Sequence, residues 1–317
     1  MKEEEVIKLS NLCNFKADYA APLKNEASGR EYWRVSNIKE SFVLCYLDPD
    51  IGNHTEFINI SENLKNNHIN AVDILHHNYE LGITLQEDLG DNDLLLILND
   101  KNKEELLKKS IDLLIQIQGA DVKELRKFSE NDLINQMLLY KDVFLKDFLN
   151  VDVNSSIDDL ISSTIESLKN HPWTNCHFDY ERRNLILSKT QEVSVIDFQD
   201  MRIGPMGIDM AGILVDHYYP LDKELIKNLL TYYSNKINSK HSVNALFEFL
   251  RYGCIQRNMR ILGTLSNLYL TQNRSFRIKD LPMILSNLAN MIPDNHDSKD
   301  HIHNIVQPEL QKKISQI

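Results

Sequence analysis

The sequence predicts an α+β fold in two lobes, a small β-rich one over residues 1–90 and a larger, mostly helical one over 91–317 with a hairpin set into it. Three observations carry this reading. Short β-branched and aromatic runs crowd the first ninety residues. From Asp91 onward apolar residues recur at helical spacing. One pair of short apolar runs, 184–187 and 193–196 around a polar turn, then interrupts the helical region. The 317 residues suffice for two core-bearing units at ~100 to 200 residues per domain.

In chain order, 3–13 carries a weak helical period and 15–25 none that is clear. The run 27–30 reads as a tight turn, since Gly29 tolerates positive φ. Strands follow at 32–35 and 41–46, a small meander. A helix with Thr55 as cap and Phe57, Ile58, Ile60 and Leu64 on one face occupies 55–66. The pieces 69–74 and 78–81 are strand-like, and 83–86 is a buried strand that breaks at Glu87-Asp88-Leu89-Gly90. Helices then follow at 103–118, 131–149, 156–168, 222–238, 243–270 and 281–291. The segment from Asp294, with His296, His301 and His303, reads as a tail or loosely packed helix rather than a metal site, having no Cys or carboxylate shell at ligand spacing.

Composition narrows the function classes. An apolar fraction of 42% and a charged fraction of 26% belong to an ordinary globular protein. A net charge of −11 argues against general nucleic-acid binding, which rests on phosphate neutralisation by Lys and Arg. Cys13, Cys45, Cys176 and Cys254 are far apart and lie in or beside apolar runs, the pattern of buried thiols rather than of a disulfide frame. The acidic start Met1-Lys2-Glu3-Glu4-Glu5 and the lack of any apolar run near ~18 residues lead us to expect no signal peptide, no membrane span and a cytoplasmic location. No protein partner is inferable.

The chemistry concentrates between His177 and Asp209. His177-Phe178-Asp179-Tyr180-Glu181-Arg182-Arg183-Asn184 precedes the hairpin, and Asp197-Phe198-Gln199-Asp200 follows it. Antiparallel pairing sets opposed residues roughly 4.5 to 5.5 Å apart, so Asn184 and Asp197 return to the same end. An amide oxygen and a carboxylate there form a half-site for Mg²⁺, which completes its shell with water and substrate phosphates. Asp179, on the preceding loop, is the candidate general base for a hydroxyl attacking a γ-phosphoryl group. Each residue alone reads more readily as an ordinary loop polar; the order, spacing and intervening hairpin give the set its meaning.

This order resembles the phosphotransferase arrangement of the protein-kinase-like superfamily. More closely, the chain resembles the aminoglycoside-phosphotransferase-type branch, and within it the bacterial anomeric kinases of N-acetylmuramate and N-acetylglucosamine. The similarity is carried by Ala27-Ser28 with Arg30, Tyr32 and Arg34; by 86–91; by Ile196-Asp197-Phe198-Gln199-Asp200; by Gly204-Pro205 before Asp209-Met210-Ala211; and by 256–263 with Asp280-Leu281-Pro282. The resemblance implies a bilobal protein-kinase-like fold, ATP and Mg²⁺ as cofactors, and a small-molecule sugar as substrate. It implies Asp179 as base, Asn184 and Asp197 as metal ligands, and the Glu87 to Leu89 backbone on adenine. Ser28 and Gly29 would lie over the phosphates, although a Gly in such a turn is by itself no more than a turn. Asp209, with His177, would support the catalytic loop. Asp200 and Arg202 would meet the sugar or serve a surface loop.

Three departures from the family pattern stand out. The strand 41–46 lacks the lysine that usually binds α- and β-phosphates, with Cys45 near its place, and Arg30 or Arg34 would substitute. Phe178 follows the loop histidine where a polar residue is common. Tyr180-Glu181 follows the base in place of a small or His-containing pair. The alternatives are a kinase of another small alcohol, an aminoglycoside or amino alcohol, and an inactive nucleotide-binding module.

Overall fold

The computed structural model describes residues 1–23, 29–238 and 240–317. Contacts divide the chain into two compact units. The first comprises residues 1–97, 120–125 and 183–201; the second comprises 98–119, 126–182 and 202–317. The first boundary falls at Ile97 rather than at residue 90, and the hairpin groups with the N-terminal segment rather than with the helices that flank it in sequence.

The first unit opens with α1 (Glu3–Leu12), then β1 (Tyr19–Pro22), β2 (Glu31–Ser36), β3 (Ser41–Tyr46), α2 (Thr55–Asn66), β4 (Ile74–Asn78), β5 (Ile83–Glu87) and the single turn α3 (Leu94–Ile97). The strands form one antiparallel sheet in the order β1-β2-β3-β5-β4. Val6 of α1 packs with Phe15, Ala17 and Ala20 onto Trp33, Val35, Leu44, Ile83 and Leu85, giving this unit its own core. β1 escapes the sequence pattern because it is four residues long and only Ala20 is buried. The strand expected in two pieces at 69–74 and 78–81 is instead the single edge strand β4, with a register shift between Ile74 and His76. Thr55 is the first helical residue of α2, not its cap, and the amide of Thr55 is held by Asn53 Oδ1 at 3.0 Å.

In the second unit come α4 (Lys103–Gly119), α5 (Glu130–Leu139, continued as π-turns over Tyr140–Phe148), α6 (Ser155–Lys169) and β6 (Trp173–Cys176). The chain then contributes β7 (Leu185–Leu187) and β8 (Val193–Val195) to the first unit. It returns through β9 (Arg202–Pro205), α7 (Gly207–Leu214), α8 (Lys223–Lys236), α9 (Val243–Gln272), α10 (Leu281–Met291), α11 (Ser298–His301, continued as π-turns over Ile302–Val306) and α12 (Gln307–Ile314). β6 pairs with β9, a two-stranded sheet that short runs thirty residues apart do not announce. The expected loose tail is a packed helix: Ile302, Val306 and Leu310 are buried at four-residue spacing.

Every residue of α7 is buried, and its crossing with α9 depends on two glycines. A Cβ built on Gly253 would lie 2.1 Å from the Gly207 carbonyl oxygen, and one on Gly207 would lie 2.0 Å from that of Phe249. The backbones therefore touch at Gly207, and α7 carries the buried Asp209 two residues further on. Gly253→Ala is expected to lower stability by about 1–3 kcal/mol through overpacking, read as a lower urea midpoint with an unchanged m-value.

Candidate active site

The hairpin fixes the end at which chemistry gathers in the first unit. Leu185, Ile186 and Leu187 pair with Val195, Ser194 and Val193, and the Ile196 amide donates to Asn184 O at 3.0 Å. Asn184 therefore stands opposite Ile196, and Asp197 comes one residue further on than simple pairing suggests. Asp197 then turns at φ +63, a left-handed conformation that Asp tolerates better than most residues. The following Phe198 is buried against Phe57 of α2, ring centroids 4.9 Å apart, and anchors that turn.

Asn184 and Asp197 both line one cavity of about 480 Å³ in this unit. Its wall comprises Tyr32 and Arg34 of β2, Val43 of β3, the exit of β5 from Gln86 to Asp91, and Arg183. A concave, largely apolar space of this size with a few convergent polar groups is the form of a small-molecule site. Glu87 and Leu89 line it, and the Glu87 amide is held by the Asp73 carbonyl at 2.9 Å. Gln199 Nε2 donates to Asp197 Oδ1 at 2.6 Å and fixes the carboxylate. The donors suit Mg²⁺ rather than a transition metal: hard oxygens from one amide and one carboxylate, beside room for phosphates and water.

Arg34 is deeply engaged. Its Nη2 donates to Asp88 Oδ1 and its Nη1 to Asp91 Oδ2, each at 3.0 Å. Asp88 also accepts from Ser41 Oγ at 2.7 Å and from the Gly90 amide at 3.0 Å. Burial would raise the Asp88 carboxyl, but the bonds from Ser41 and Arg34 outweigh it and hold the group below the usual carboxylate range. Arg34 thus braces the strand exit, a role invisible without knowing that β3 alone separates β2 from β5. Arg30 is half-buried, and its Nε has no hydrogen-bond partner among the described residues. Burial raises the thiol of Cys45 to about 12, against the pull of the nearby Arg30 charge, so the residue near the missing lysine's place is an uncharged thiol. Gly29 has φ +74 and open space where a Cβ would be, while Ser28 lies outside the described residues.

The second unit carries the candidate base. Asp209, fully buried on α7, accepts the His177 amide at 2.6 Å and the Phe178 amide at 2.8 Å on its two carboxylate oxygens. Burial pushes its carboxyl up to about 6, opposed by its electrostatic interaction with His177 and by these two bonds. The loop is set by Phe178 at φ +67, its ring stacked on Phe128 at 4.3 Å and against Gly204, where a Cβ would come within 2.6 Å of the ring. That packing explains an apolar residue in a place that is often polar.

Two arginines of α9, one turn apart, grip the loop. Arg260 Nη2 donates to the Phe178 carbonyl at 3.0 Å and to Asp179 Oδ1 at 2.8 Å. Arg257 Nη2 pairs with Glu181 Oε2 at 2.5 Å, with both side chains no more than 3% exposed. Arg182 is equally buried, donating to the carbonyls of Tyr219 and Ile213 and lying 3.7 Å from Asp216. Tyr180, buried beside them, donates to the Ser110 carbonyl at 2.7 Å. Tyr180 and Glu181 therefore anchor the loop from within. Removing one partner of a buried pair leaves the other charge uncompensated. Glu181→Ala is expected to cost about 3–5 kcal/mol, measured as a fall in urea midpoint.

Asp200 is exposed in a turn of the first unit and Arg202 begins β9 in the second; neither lines the 480 Å³ cavity. Arg183 lines the cavity, and Arg257 and Arg260 hold the loop, positions that motif spacing alone does not assign. Their recurrence within a short motif was the available signal; their partners, some eighty residues earlier, were not.

Against known proteins, this architecture is found repeatedly. A spectinomycin phosphotransferase solved with ADP and spectinomycin superposes with a TM-score of 0.65 at 14% identity, over 98% of this chain and 99% of that one. A choline kinase of Streptococcus pneumoniae gives 0.66 at 13% identity, over 90% and 99%. In sequence, an N-acetylmuramate/N-acetylglucosamine kinase of Neisseria meningitidis serogroup B is 22% identical over 278 residues, 83% of this chain and 82% of the relative. The kinase of the same name from Pseudomonas putida is 24% identical over 84% and 82%. The model of the phosphotransferase enzyme family matches residues 20–246. With the kinase-like fold, a five-stranded sheet followed by a largely helical region, the chain belongs to the phosphotransferase enzyme family and is an ATP-dependent phosphotransferase.

Proposed function

We propose that the protein transfers the γ-phosphoryl group of ATP to the anomeric hydroxyl of an N-acetylated amino sugar, N-acetylglucosamine or N-acetylmuramate, in the recycling of cell-wall sugars. The observation that carries the reaction type is the cavity in which Asn184 and Asp197 stand together with the β5 exit. The acceptor class rests on the two relatives, both named for these sugars.

In this reading the Glu87 carbonyl and the Leu89 amide take the adenine edge, and the Gly29 turn covers the phosphates. Asn184 and Asp197 hold Mg²⁺, which when bound neutralises charge on the phosphate oxygens. Asp179 accepts the hydroxyl proton as the sugar oxygen bonds to phosphorus, the bond to the β-phosphate oxygen breaks and ADP leaves. Asp209 and His177 hold the loop, and Arg30 is the cation that stands in for the missing strand lysine. The cytoplasm, where ATP is held, is the place for this chemistry, and four cysteines that are all free accord with a reducing compartment. No helix among the described residues is long and apolar enough to cross a membrane.

The test is ATP turnover with Mg²⁺ over a panel of N-acetylmuramate, N-acetylglucosamine, simple hexoses, an aminoglycoside and choline. The proposal expects the two N-acetylated sugars to give the highest kcat/KM. Turnover confined to the cationic acceptors contradicts it.

A further inference from the structure

We infer that Arg260 sets the charge class of the acceptor, screening the base so that uncharged and anionic sugars are used and cationic alcohols rejected. This deepens the sugar-kinase reading and rests on it.

The geometry is specific. Arg260 reaches from α9 to Asp179 through Nη2, which also holds the Phe178 carbonyl, so the guanidinium is tied to the backbone as well as to the carboxylate. Its side chain is 17% exposed and that of Asp179 is 39% exposed. The cation is therefore seated on the protein, while the carboxylate stays open to an incoming hydroxyl. Asp209 of α7 lies on the inner side of the same loop, occupied by the amides of His177 and Phe178. Glu181, the other carboxylate of the loop, is matched by Arg257. Arg260 is thus a cation that the structure pairs with the base itself.

An acceptor oxygen must come within about 2.6–3.2 Å of Asp179 to give up its proton. That places it within about 6 Å of the Arg260 nitrogen, which is 2.8 Å from the carboxylate. Left unpaired, the carboxylate would draw in a cationic acceptor by a factor on the order of 100 at an effective dielectric near 20. Arg260 cancels that attraction, leaving a locally neutral, donor-rich rim. A carboxylate-bearing sugar, for the same reason, no longer meets an uncompensated like charge at the base. Arg260 also fixes the orientation of Asp179, so its loss affects the rate as well as the choice of acceptor.

The experiment compares wild type, Arg260→Gln and Arg260→Lys in kcat and KM for ATP, N-acetylglucosamine, choline and an aminoglycoside. Arg260→Gln is expected to leave the KM for ATP unchanged, lower kcat on N-acetylglucosamine at least tenfold, and narrow the ratio of sugar to choline kcat/KM at least tenfold. Arg260→Lys, keeping the charge, is expected to recover most of that ratio. An Arg260→Gln enzyme with the wild-type ratio overturns the inference. So does a uniform loss on every acceptor that lysine fails to recover, which would mark a purely structural residue. A wild type that uses a different uncharged sugar overturns the amino-sugar reading alone, and the ratio on that sugar then decides for Arg260. A wild type that prefers choline with Arg260 in place overturns the inference itself.

Discussion

Asp179→Asn is expected to lower kcat by about 10²- to 10⁴-fold, the range that general acid–base catalysis supplies, while leaving the KM for ATP near its wild-type value. The substitution is nearly isosteric. It keeps an oxygen for the Arg260 nitrogen that now holds Asp179 at 2.8 Å, so the loop stays pinned by Arg260 and by the two amides on Asp209. What it removes is the ability to accept a proton. Steady-state rates on the best acceptor, with ATP affinity measured separately, distinguish this from unfolding. A variant with near-normal kcat would mean that the proton goes elsewhere and that Asp179 is not the base.

Asp197→Ala is expected to abolish measurable turnover, a loss of about 10³-fold or more, because a bound metal contributes several kcal/mol to charge stabilisation. Two effects act together here. The carboxylate leaves the cavity it shares with Asn184, and alanine is placed at φ +63, which it tolerates less well than aspartate. Asp197→Asn separates them, keeping a residue type suited to that backbone while losing the charge. Nucleotide titrations with and without Mg²⁺ supply the readout: metal-enhanced ATP binding in the wild type, and its loss in both variants. If Asp197→Asn still binds ATP more tightly with Mg²⁺, the metal assignment fails.

The hairpin and its acidic flanks were legible because their geometry is local. A twelve-residue excursion returns Asn184 and Asp197 to one end whatever the rest of the chain does, although pairing falls one residue short of setting them opposite. The α9 helix was equally plain, thirty residues long with apolar periods, but its function was not. Arg257 and Arg260 look like ordinary helical cations until tertiary structure brings them to Glu181 and Asp179. Arg34 was legible as a cation near the site but not as a brace: it lines the cavity, and Asp88 and Asp91 hold it. The C-terminal helix was hidden by polar composition, since a buried stripe of Ile302, Val306 and Leu310 is narrow enough to be outvoted by its neighbours. β6 and β9 were missed because four-residue strands carry little pattern and each needs the other to exist.

The central claim is transfer to the anomeric oxygen of an N-acetylated sugar, and phosphorus NMR of the product made from ATP, Mg²⁺ and N-acetylglucosamine tests it most directly. The account predicts a phosphorus resonance coupled to the anomeric proton, accumulating in step with ADP. A resonance coupled instead to the C6 methylene protons, or ADP formed with inorganic phosphate alone, would contradict it.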